Sequence, residues 1–368
     1  MNHEEYMKLA FELAEKGTGF TKTNPLVGAI LVKNGLIIGK GYHEFFGGPH
    51  AEVNAILNAK QNGHEVSGAT LYCNLEPCSH LDKKTPPCAQ MLVKEKINTL
   101  VVSNRDPNPK VNGKGFEILR QNNITVIENV LSEQGEILNE VFFHSIKRQM
   151  PFVHLKMAQS LDGKIATEMG NSKYISCQDS LERVHEFRQK YEAILIGSKT
   201  LALDNSKLTV RSSKYLKPSH PKKIIIGSLK NISLELDIFK QASENSIIIL
   251  TTDCEVPSLF LEKKIKVITV PKLLNLEIDL KIALQILYKE GIHSILVEGG
   301  PIVASSFLRQ KLVQKVSFFI APIFLGGNKN SLGDLNIDLL EDKIKLKNKK
   351  IELIGDDILV EGYLCLQE

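Results

Sequence analysis

The chain has 368 residues, of which 43% are hydrophobic and 24% are charged. This length is too great for one typical hydrophobic core and predicts two domains, and the composition excludes a largely disordered chain. The net charge of +4 is small for this length, so it gives no support for a protein that coats a polyanion, although a local basic pocket for a phosphate is compatible with it.

The N-terminal sequence, the apolar runs and the cysteines indicate the cellular compartment. The N-terminus lacks the apolar core of a signal peptide, and no apolar run is long enough to span a membrane. Six cysteines in such a chain are expected to be thiols or metal ligands rather than a disulfide framework, and Cys73 is expected to be a buried thiol on a strand. We therefore expect a cytoplasmic protein without a membrane partner.

The first part of the chain alternates helices and strands. Apolar spacing predicts a helix over residues 3–17 that ends at Gly17, and two β-branched runs around Asn34-Gly35 predict a hairpin. Next come a helix, a strand, a helix, a strand, a helix and a strand, in the order AEVNAILNAKQNG, ATLYCNLEPC, CAQMLVKEK, TLVVSN, FEILRQNN and ITVIENV. Such alternation predicts a layered α/β domain.

A polar helix over residues 132–150 is the expected linker, and a second alternating series follows it. Its predicted strands are FVHLKMA, YEAILIGS, KKIIIGS, SIIILTT, IKVITV, SILVEGG and VSFFIAPIFLGG. The lysine-rich stretch near residues 343–350 is expected to be a solvated face or a turn. The sequence predicts one domain over residues 1–146 and another over residues 147–368.

Three residues of the first domain have the chemistry of zinc ligands. His50 follows a proline, and Cys78 and Cys88 flank the segment SHLDKKTPP, each cysteine preceding or opening an expected helix. One imidazole and two thiolates are typical of a catalytic zinc ion, which keeps a position for water. Glu52 completes the His-x-Glu and Pro-Cys signature of zinc deaminases, in which a glutamate that is not a ligand shuttles protons. Either motif alone is more often structural, but together they predict one catalytic zinc ion.

The second domain has no Gly-x-Gly-x-x-Gly after a strand, so a Rossmann-type dinucleotide site is not predicted. The segment SILVEGGPIVASSFL predicts a strand, then Gly299-Gly300, then a helix from about Pro301. A helix N-terminus beside glycines favours a phosphate, although Gly-Gly-Pro is as often only a turn. Arg188 and Arg211 suit a phosphate by bidentate pairing; otherwise they are surface arginines.

The motifs together resemble a known family, the bifunctional deaminase/reductases of riboflavin biosynthesis. The resemblance extends over essentially the whole chain and rests on TNPLVGAILVKNG, GYHEFFGGPHAEVNA, LEPCSHLDKKTPPC, RDPNPKVNGKG, LKMAQSLDGKIA, LTVR and VEGGP. It implies a cytidine-deaminase-like three-layer α/β/α domain followed by a dihydrofolate-reductase-like α/β domain. It also implies Zn²⁺ and NADPH as cofactors, and assembly into a homo-oligomer.

The resemblance implies two reactions on phosphorylated pyrimidines. The first is hydrolytic deamination of 2,5-diamino-6-(phosphoribosylamino)pyrimidin-4-one, and the second is NADPH-dependent reduction of the ribosyl side chain to ribityl phosphate. The proton donor of the second reaction stays open among Lys156, Asp204 and Glu298.

The resemblance further implies roles for individual residues. The deaminase substrate positions match Asn24, His43, His80 and Lys84, although the residues alone favour a turn role for Asn24 and a solvated strand-end role for His43. The reductase substrate positions match Lys156, Ser172, Arg188, Leu208, Arg211 and Glu298. The cofactor positions match Ala158, Tyr174, Thr200, Asp204, Ser228, Gly300, Pro301, Ile302, Val303, Ala304, Ser305 and Ser306. The chain departs from the family pattern in the length of the Cys78–Cys88 segment and at Asn205-Ser206, Gly227 and Tyr174.

Two other interpretations stay open. One is a deaminase of bases in RNA or nucleosides with a non-catalytic C-terminal domain. With no tryptophan and 6% aromatic residues, the chain offers few stacking side chains for it, and no nucleic-acid partner is expected. The other is a binding module with structural zinc, which usually needs four ligands.

Overall fold

A computed structural model describes residues 1–79, 87–109, 111–212, 214–215, 218, 220–240 and 246–365. Two of the predicted site residues, His80 and Lys84, lie outside these residues. The chain divides into two compact units, Met1–Gln149 and Met150–Glu368. Within the described ranges, no helix is both long and apolar enough to cross a membrane.

The first unit contains a five-stranded sheet in the order β2-β1-β3-β4-β5. Strand β1 is antiparallel to β2 and β3, and the β3–β4 and β4–β5 pairs are parallel. Asn34 and Gly35 both have positive φ between β1 and β2, so the expected tight hairpin turn is confirmed. The elements are α1 (His3–Glu15), β1 (Gly28–Lys33), β2 (Leu36–Tyr42), α2 (Ala51–Gln61), β3 (Thr70–Leu75), α3 (Cys88–Lys94), β4 (Thr99–Asn104), α4 (Lys114–Gln121), β5 (Thr125–Ile127), α5 (Ser132–Leu138) and α6 (Glu140–Arg148).

Helices cover both faces of this sheet. On one face α1 buries Tyr6, Met7 and Ala10 against side chains of β1, β3 and β4. On the other face, α2, α3 and α4 pack against the alternate residues of the same strands, among them Cys73, which is fully buried as expected. Because successive side chains of each strand point to opposite faces of the sheet, the sheet has a hydrophobic core on each side. The predicted three-layer α/β/α fold is therefore confirmed.

Strand β2 and helix α2 pack backbone against backbone. A Cβ atom at Gly41 would lie 2.3 Å from the backbone nitrogen of Ala55, and one at Gly39 would lie 2.4 Å from its carbonyl oxygen. Only glycine permits so close an approach. Because His50 is the N-cap residue of α2, the two glycines also fix the height of His50 above the sheet.

The second unit contains a nine-stranded sheet in the order β10-β9-β8-β7-β11-β6-β12-β14-β13. Neighbours from β10 to β12 are parallel, and β14 pairs antiparallel with β12 and β13. The elements are β6 (Phe152–Ser160), α7 (Gln178–Lys190), β7 (Ala193–Gly197), α8 (Ser198–Asp204), β8 (Lys222–Ile226), α9 (Asp237–Lys240), β9 (Ile247–Thr251), α10 (Ser258–Glu262), β10 (Lys266–Thr269), α11 (Leu280–Lys289), β11 (Ser294–Val297), α12 (Pro301–Arg309), β12 (Lys315–Ala321), β13 (Leu346–Ile354) and β14 (Asp357–Leu364).

Two local predictions differ from the structure. The stretch 132–150 forms two helices rather than one, because Asn139 leaves the helical region with φ −109° and ψ 28°. Part of the lysine-rich stretch belongs to strand β13, since pairing with β14 satisfies its backbone while its lysines remain exposed. The prediction of a solvated face is therefore confirmed, and the alternative prediction of a turn is wrong for the part in β13. Lysines on an edge strand also discourage unwanted strand pairing.

Candidate functional site

The three predicted zinc ligands converge in the first unit. His50 has extended backbone angles, φ −72° and ψ 161°, and precedes the first turn of α2, whereas Cys88 is the first residue of α3. Cys78 lies in the loop after β3, and residues 80–86 that follow it lie outside the described residues, so the predicted helix start is confirmed for Cys88 and untested for Cys78. The Nδ1 atom of His50 lies 3.6 Å from Sγ of Cys78 and 3.3 Å from Sγ of Cys88.

These distances fit a tetrahedral zinc ion. With Zn–S near 2.3 Å and Zn–N near 2.0–2.1 Å, a tetrahedral N···S edge is about 3.5 Å. The ligand atoms of His50, Cys78 and Cys88 all lie within 4.8 Å of one another. Among the described residues, this is the cluster of His, Cys, Asp or Glu side chains that could hold a metal ion. The nitrogen and sulfur donor set is also the one that zinc prefers.

The sulfurs are polarised for metal binding. Hydrogen bonds from Cys88 and His50 lower the pKa of the Cys78 thiol to about 3, against the opposing effect of burial. The pKa of Cys88 is raised well above its usual value, because Cys88 gives its proton to the hydrogen bond with Cys78 and is buried. The lowered pKa of Cys78 favours its thiolate, which is the form in which a cysteine binds a metal.

Glu52 lies beside this group of three side chains. It is the second residue of α2, is 3% exposed, and interacts with His50, Cys78 and Cys88. Burial raises its pKa, and the nearby imidazole only partly offsets that effect. A carboxyl group whose pKa is raised toward neutrality can both accept and return a proton, which is the property needed of a general acid/base.

Asn24 and His43 form a linked pair next to the zinc ligands. His43 Nδ1 lies 3.0 Å from the carbonyl oxygen of Pro49, and its Nε2 lies 3.0 Å from Asn24 Nδ2. The carbonyl can only accept, so Nδ1 carries the proton and Nε2 accepts from the Asn24 amide. His43 is 4% exposed, and its ring meets that of His50 edge-on at 5.8 Å between centroids, so it is a buried residue rather than the solvated histidine favoured by the residues alone.

A residue that the sequence analysis missed organises the loop beside Cys78. The buried carboxylate of Glu76 accepts backbone N–H bonds from Asp106 at 3.2 Å, from Gly113 at 2.9 Å and from Gly115 at 2.9 Å. A Cβ atom at Gly115 would lie 2.3 Å from the carbonyl oxygen of Pro77. Glu76 thus ties the RDPNPKVNGKG segment to the residues before Cys78. Its partners are 30 to 39 positions away, which local patterns do not show.

In the second unit, three of the predicted substrate-side residues form a buried charged cluster. Arg188 donates to both carboxylate oxygens of Glu298, over 2.7 and 2.8 Å, and also to the carbonyl oxygen of Thr209 over 3.1 Å. Lys156 interacts electrostatically with both members of the pair, and its Nζ lies 5.5 Å from the ring of Phe319. The guanidinium of Arg188 is therefore held by a carboxylate, and its predicted bidentate contact with a phosphate stays a prediction.

Burial and pairing shift the pKa values within this cluster. The pKa of Lys156 is lowered, mainly because its ammonium is removed from water. The pKa of Glu298 is lowered by the positive charges of Arg188 and Lys156, which outweigh its burial. Asp204, at the end of α8, has a raised pKa because it is half-buried. The lowered pKa of Lys156 and the raised pKa of Asp204 both favour the neutral form of the side chain, whereas the lowered pKa of Glu298 favours its carboxylate.

The predicted cofactor-side residues lie mainly after the carboxyl ends of parallel strands, where α/β sheets bind ligands. Thr200 follows β7, Ser228 follows β8, and Gly300 is the N-cap residue of α12, which begins at Pro301 as predicted. A Cβ atom at Gly300 would lie 2.6 Å from Thr200 Oγ1, so the starts of α8 and α12 are adjacent.

The other cofactor-side and substrate-side residues are more dispersed. Ala304, Ser305 and Ser306 are buried within α12, and the hydroxyls of the two serines bond to Gly333 and Glu277. Ala158 lies on β6, and Ser172 and Tyr174 lie in the segment before α7, with Tyr174 exposed. Of the remaining residues, Ile302 is 67% exposed and Val303 packs partly against the core.

Comparisons with known proteins agree with the two sites. Residues 1–104 match the family model described as the cytidine and deoxycytidylate deaminase zinc-binding region, and residues 151–360 match the RibD C-terminal domain. The riboflavin biosynthesis protein RibD of Actinobacillus pleuropneumoniae is 38% identical over 98% of this chain and 95% of its own, and that of Escherichia coli K12 is 34% identical over 97% and 98%.

Solved structures show the same likeness. Acinetobacter baumannii RibD superposes with a TM-score of 0.88 at 30% identity, covering 98% of both chains. A Thermotoga maritima protein, named a diaminohydroxyphosphoribosylaminopyrimidine deaminase/5-amino-6-(5-phosphoribosylamino)uracil reductase, gives a TM-score of 0.86 at 36% identity, covering 99% of both.

The fold and the sites define a zinc deaminase and an NADPH-dependent reductase joined in one chain. The chain belongs to the RibD family of riboflavin biosynthesis proteins. The resemblance inferred from the motifs is therefore confirmed, as is the two-domain architecture. The domain boundary at residues 146/147 and the roles of individual residues stay predictions.

Proposed function

We propose that the first unit deaminates 2,5-diamino-6-(phosphoribosylamino)pyrimidin-4-one, the substrate class named for the Thermotoga relative. The observation that carries this proposal is the convergence of His50, Cys78 and Cys88 around one point, with the buried Glu52 beside them. A zinc ion held by the three ligands would supply the Lewis acidity that activates water. A fourth protein ligand, which a structural zinc site usually has, is not found among the described residues.

Glu52 would carry the protons in this reaction. Hydrolysis of the amidine needs one proton removed from water and one delivered to the departing amino group, and a single carboxyl group within reach of both can do this. The raised pKa of Glu52 suits both steps. Asn24 would contact the pyrimidine, because its amide is held by the buried Nε2 of His43 and cannot rotate freely.

The second unit would reduce the ribosyl group of the deaminated product. NADPH bound after β7, β8 and β11 would supply a hydride to the anomeric carbon. As the sugar ring opens, its ring oxygen needs a proton. Of the three candidate donors Lys156 would give it, and the lowered pKa of its buried ammonium supports this choice. Glu298, kept ionised by Arg188, would hold Lys156 in the protonated form before transfer.

Two assays on the full chain test these reactions. Zinc-loaded protein should release ammonia from the diaminopyrimidine ribotide, and NADPH should then be oxidised in a second phase. Chelation of zinc should abolish ammonia release but leave NADPH oxidation with the deaminated substrate intact. Zinc-loaded protein that releases no ammonia would overturn the first proposal, and the absence of NADPH oxidation with deaminated substrate would overturn the second.

Several finer features belong to the same proposal. The partners would be small phosphorylated pyrimidines, without nucleic acid or membrane, and the protein would act in the cytoplasm, where thiolate ligands stay reduced. The chain would form a homo-oligomer, for which exposed apolar residues at the edge of the large sheet, Leu339, Leu340, Ile351 and Leu353, offer a surface. Light scattering tests the oligomer, and salt-dependent binding of tRNA would instead favour the RNA-deaminase alternative.

A further inference from the structure

Helix α7 presents three polar side chains to the segment Leu208–Ser212, which follows α8. Glu182, His185 and Arg188 are separated by three positions each, so they lie along one side of the helix. The first contact is the hydrogen bond from Arg188 Nη1 to the carbonyl oxygen of Thr209, over 3.1 Å.

The other two side chains contact the far end of the same segment. The backbone N–H of Arg211 donates to His185 Nδ1 over 3.3 Å. The hydroxyl of Ser212 donates to the carboxylate of Glu182. Helix and segment thus run in opposite directions and are joined at three points, which hold the backbone on both sides of Arg211.

The segment depends on these contacts for its conformation. The residues from 206 to 212 form no helix or strand, and Leu208 has a φ of 50° although it is only 2% exposed. A bulky residue in the left-handed region is uncommon and persists where its surroundings impose it. Arg211 itself is exposed, whereas the guanidinium of Arg188 is occupied by Glu298.

The environment of His185 favours the neutral form of its imidazole. Burial lowers its pKa, and the positive charges of Arg188 and Arg211 lower it further, against the carboxylates of Glu182 and Glu298. A neutral imidazole that accepts at Nδ1 carries its proton on Nε2. The lowered pKa of His185 therefore favours the form that can accept the Arg211 N–H bond.

We propose that His185 is a positioning residue of the reductase site, which with Glu182 fixes the segment Leu208–Ser212 so that Arg211 meets the phosphate of the substrate. The proposal rests on the reductase function proposed above. It takes the phosphate contact of Arg211 from the substrate-side position that the family resemblance implies, and it gives His185 no contact with the reacting atoms. His185 should therefore influence the binding of a sugar phosphate but not the chemical step.

The test combines kinetics and binding on the full-length protein. His185→Leu should raise the KM for the deaminated substrate about tenfold, the loss expected for one charge-assisted contact, while kcat and the KM for NADPH change less than about twofold. His185→Gln, whose side-chain oxygen can accept the same N–H, should restore the KM. The exposed His64 of the first unit supplies the control His64→Leu. A fall in kcat at unchanged KM would overturn the proposal.

A double-mutant cycle separates positioning from general destabilisation. Arg211→Met should raise the KM to a similar degree, and His185→Leu should add little in that background, because its effect acts through Arg211. Additive effects would contradict the inference. If His185→Leu does not fold, Ser212→Ala tests the other end of the same contact, and an unchanged KM there would count against the proposal.

Ribose 5-phosphate distinguishes failure of this inference from failure of the proposed function. Its binding, measured by calorimetry, does not require turnover. About tenfold weaker binding in both His185→Leu and Arg211→Met would support the inference even if no reduction were found. Unchanged binding in both variants would overturn it even in an active reductase.

Discussion

Replacement of Glu52 by glutamine separates proton transfer from metal binding. The substitution preserves the shape of a side chain that is only 3% exposed, and it leaves His50, Cys78 and Cys88 in place. General acid/base catalysis by one side chain typically contributes about 10²- to 10⁴-fold to the rate. The variant should therefore lose about 3–5 kcal/mol of transition-state stabilisation, since each tenfold corresponds to about 1.4 kcal/mol.

The assay measures ammonia release and zinc content on the same samples. We expect one zinc ion per chain in both proteins, a collapse of kcat in Glu52→Gln, and no change in the exposed control Glu65→Gln. NADPH oxidation with the deaminated substrate should be unaffected. A variant with more than about one tenth of the wild-type rate would refute the proton-carrier role, and loss of zinc with activity would show that Glu52 acts as a ligand.

The same variant makes a prediction about stability and pH. Burial raises the pKa of Glu52 in the folded chain above its usual 4.5. Its protonated form therefore stabilises the fold fully at low pH, and this contribution is lost as the pH rises through the raised pKa. After chelation of zinc, Glu52→Gln should unfold at a higher temperature than the wild type at pH 8, and the difference should shrink toward pH 4.

Three further substitutions test other parts of the structure. Glu76→Gln replaces an acceptor by an amide donor that faces backbone N–H groups, so the free energy of unfolding should fall by about 1–3 kcal/mol. The kcat for deamination should fall, and NADPH oxidation should not change. Arg188→Met leaves the carboxylate of Glu298 buried without its partner, so urea unfolding of the second unit should show a loss of about 3–5 kcal/mol, and a loss below about 1 kcal/mol would contradict the ion pair. The hydroxyl of Ser160 and two backbone amides lower the pKa of Asp162 to about 2. Hydrogen-exchange protection of Leu325 and Gly326 should therefore be present above the usual pKa of 3.8 and decline as the pH falls through 2. Asp162→Ala, which has no side-chain acceptor, should lack this protection at all pH values.

Local chemistry made much of the fold predictable. Asn34-Gly35 marks a tight turn because both residues tolerate positive φ, and Gly300-Pro301 marks a helix start because proline fits the first helical position. The hairpin of β13 and β14 was not predicted, since β13 is almost wholly exposed and has no alternation of buried residues. Its formation depends on the exposed edge of a sheet built from distant strands.

The deaminase site was more predictable than the reductase site for a physical reason. A metal ion restricts residue types and spacing, so His50, Glu52 and Cys88 stand out in the sequence. In the reductase, function depends on which charged groups pair with each other. Nothing in the local sequence indicates that Arg188 meets Glu298 across 110 positions. The spacing of three positions between Glu182, His185 and Arg188 could have indicated which side of α7 makes contacts. The segment that they contact, residues 208–212, has no regular sequence pattern that could have been recognised.

Substitution of Gly39 or Gly41 in β2 should disturb the position of the zinc ligand His50, although neither glycine belongs to the site. A Cβ atom at Gly39 or Gly41 would overlap the backbone of Ala55, so any side chain there would force α2 away from β2. The imidazole of His50, at the N-terminus of α2, would then move away from the sulfur atoms of Cys78 and Cys88, which belong to other elements. Glycine should consequently be required at both positions, although neither residue touches the metal ligands.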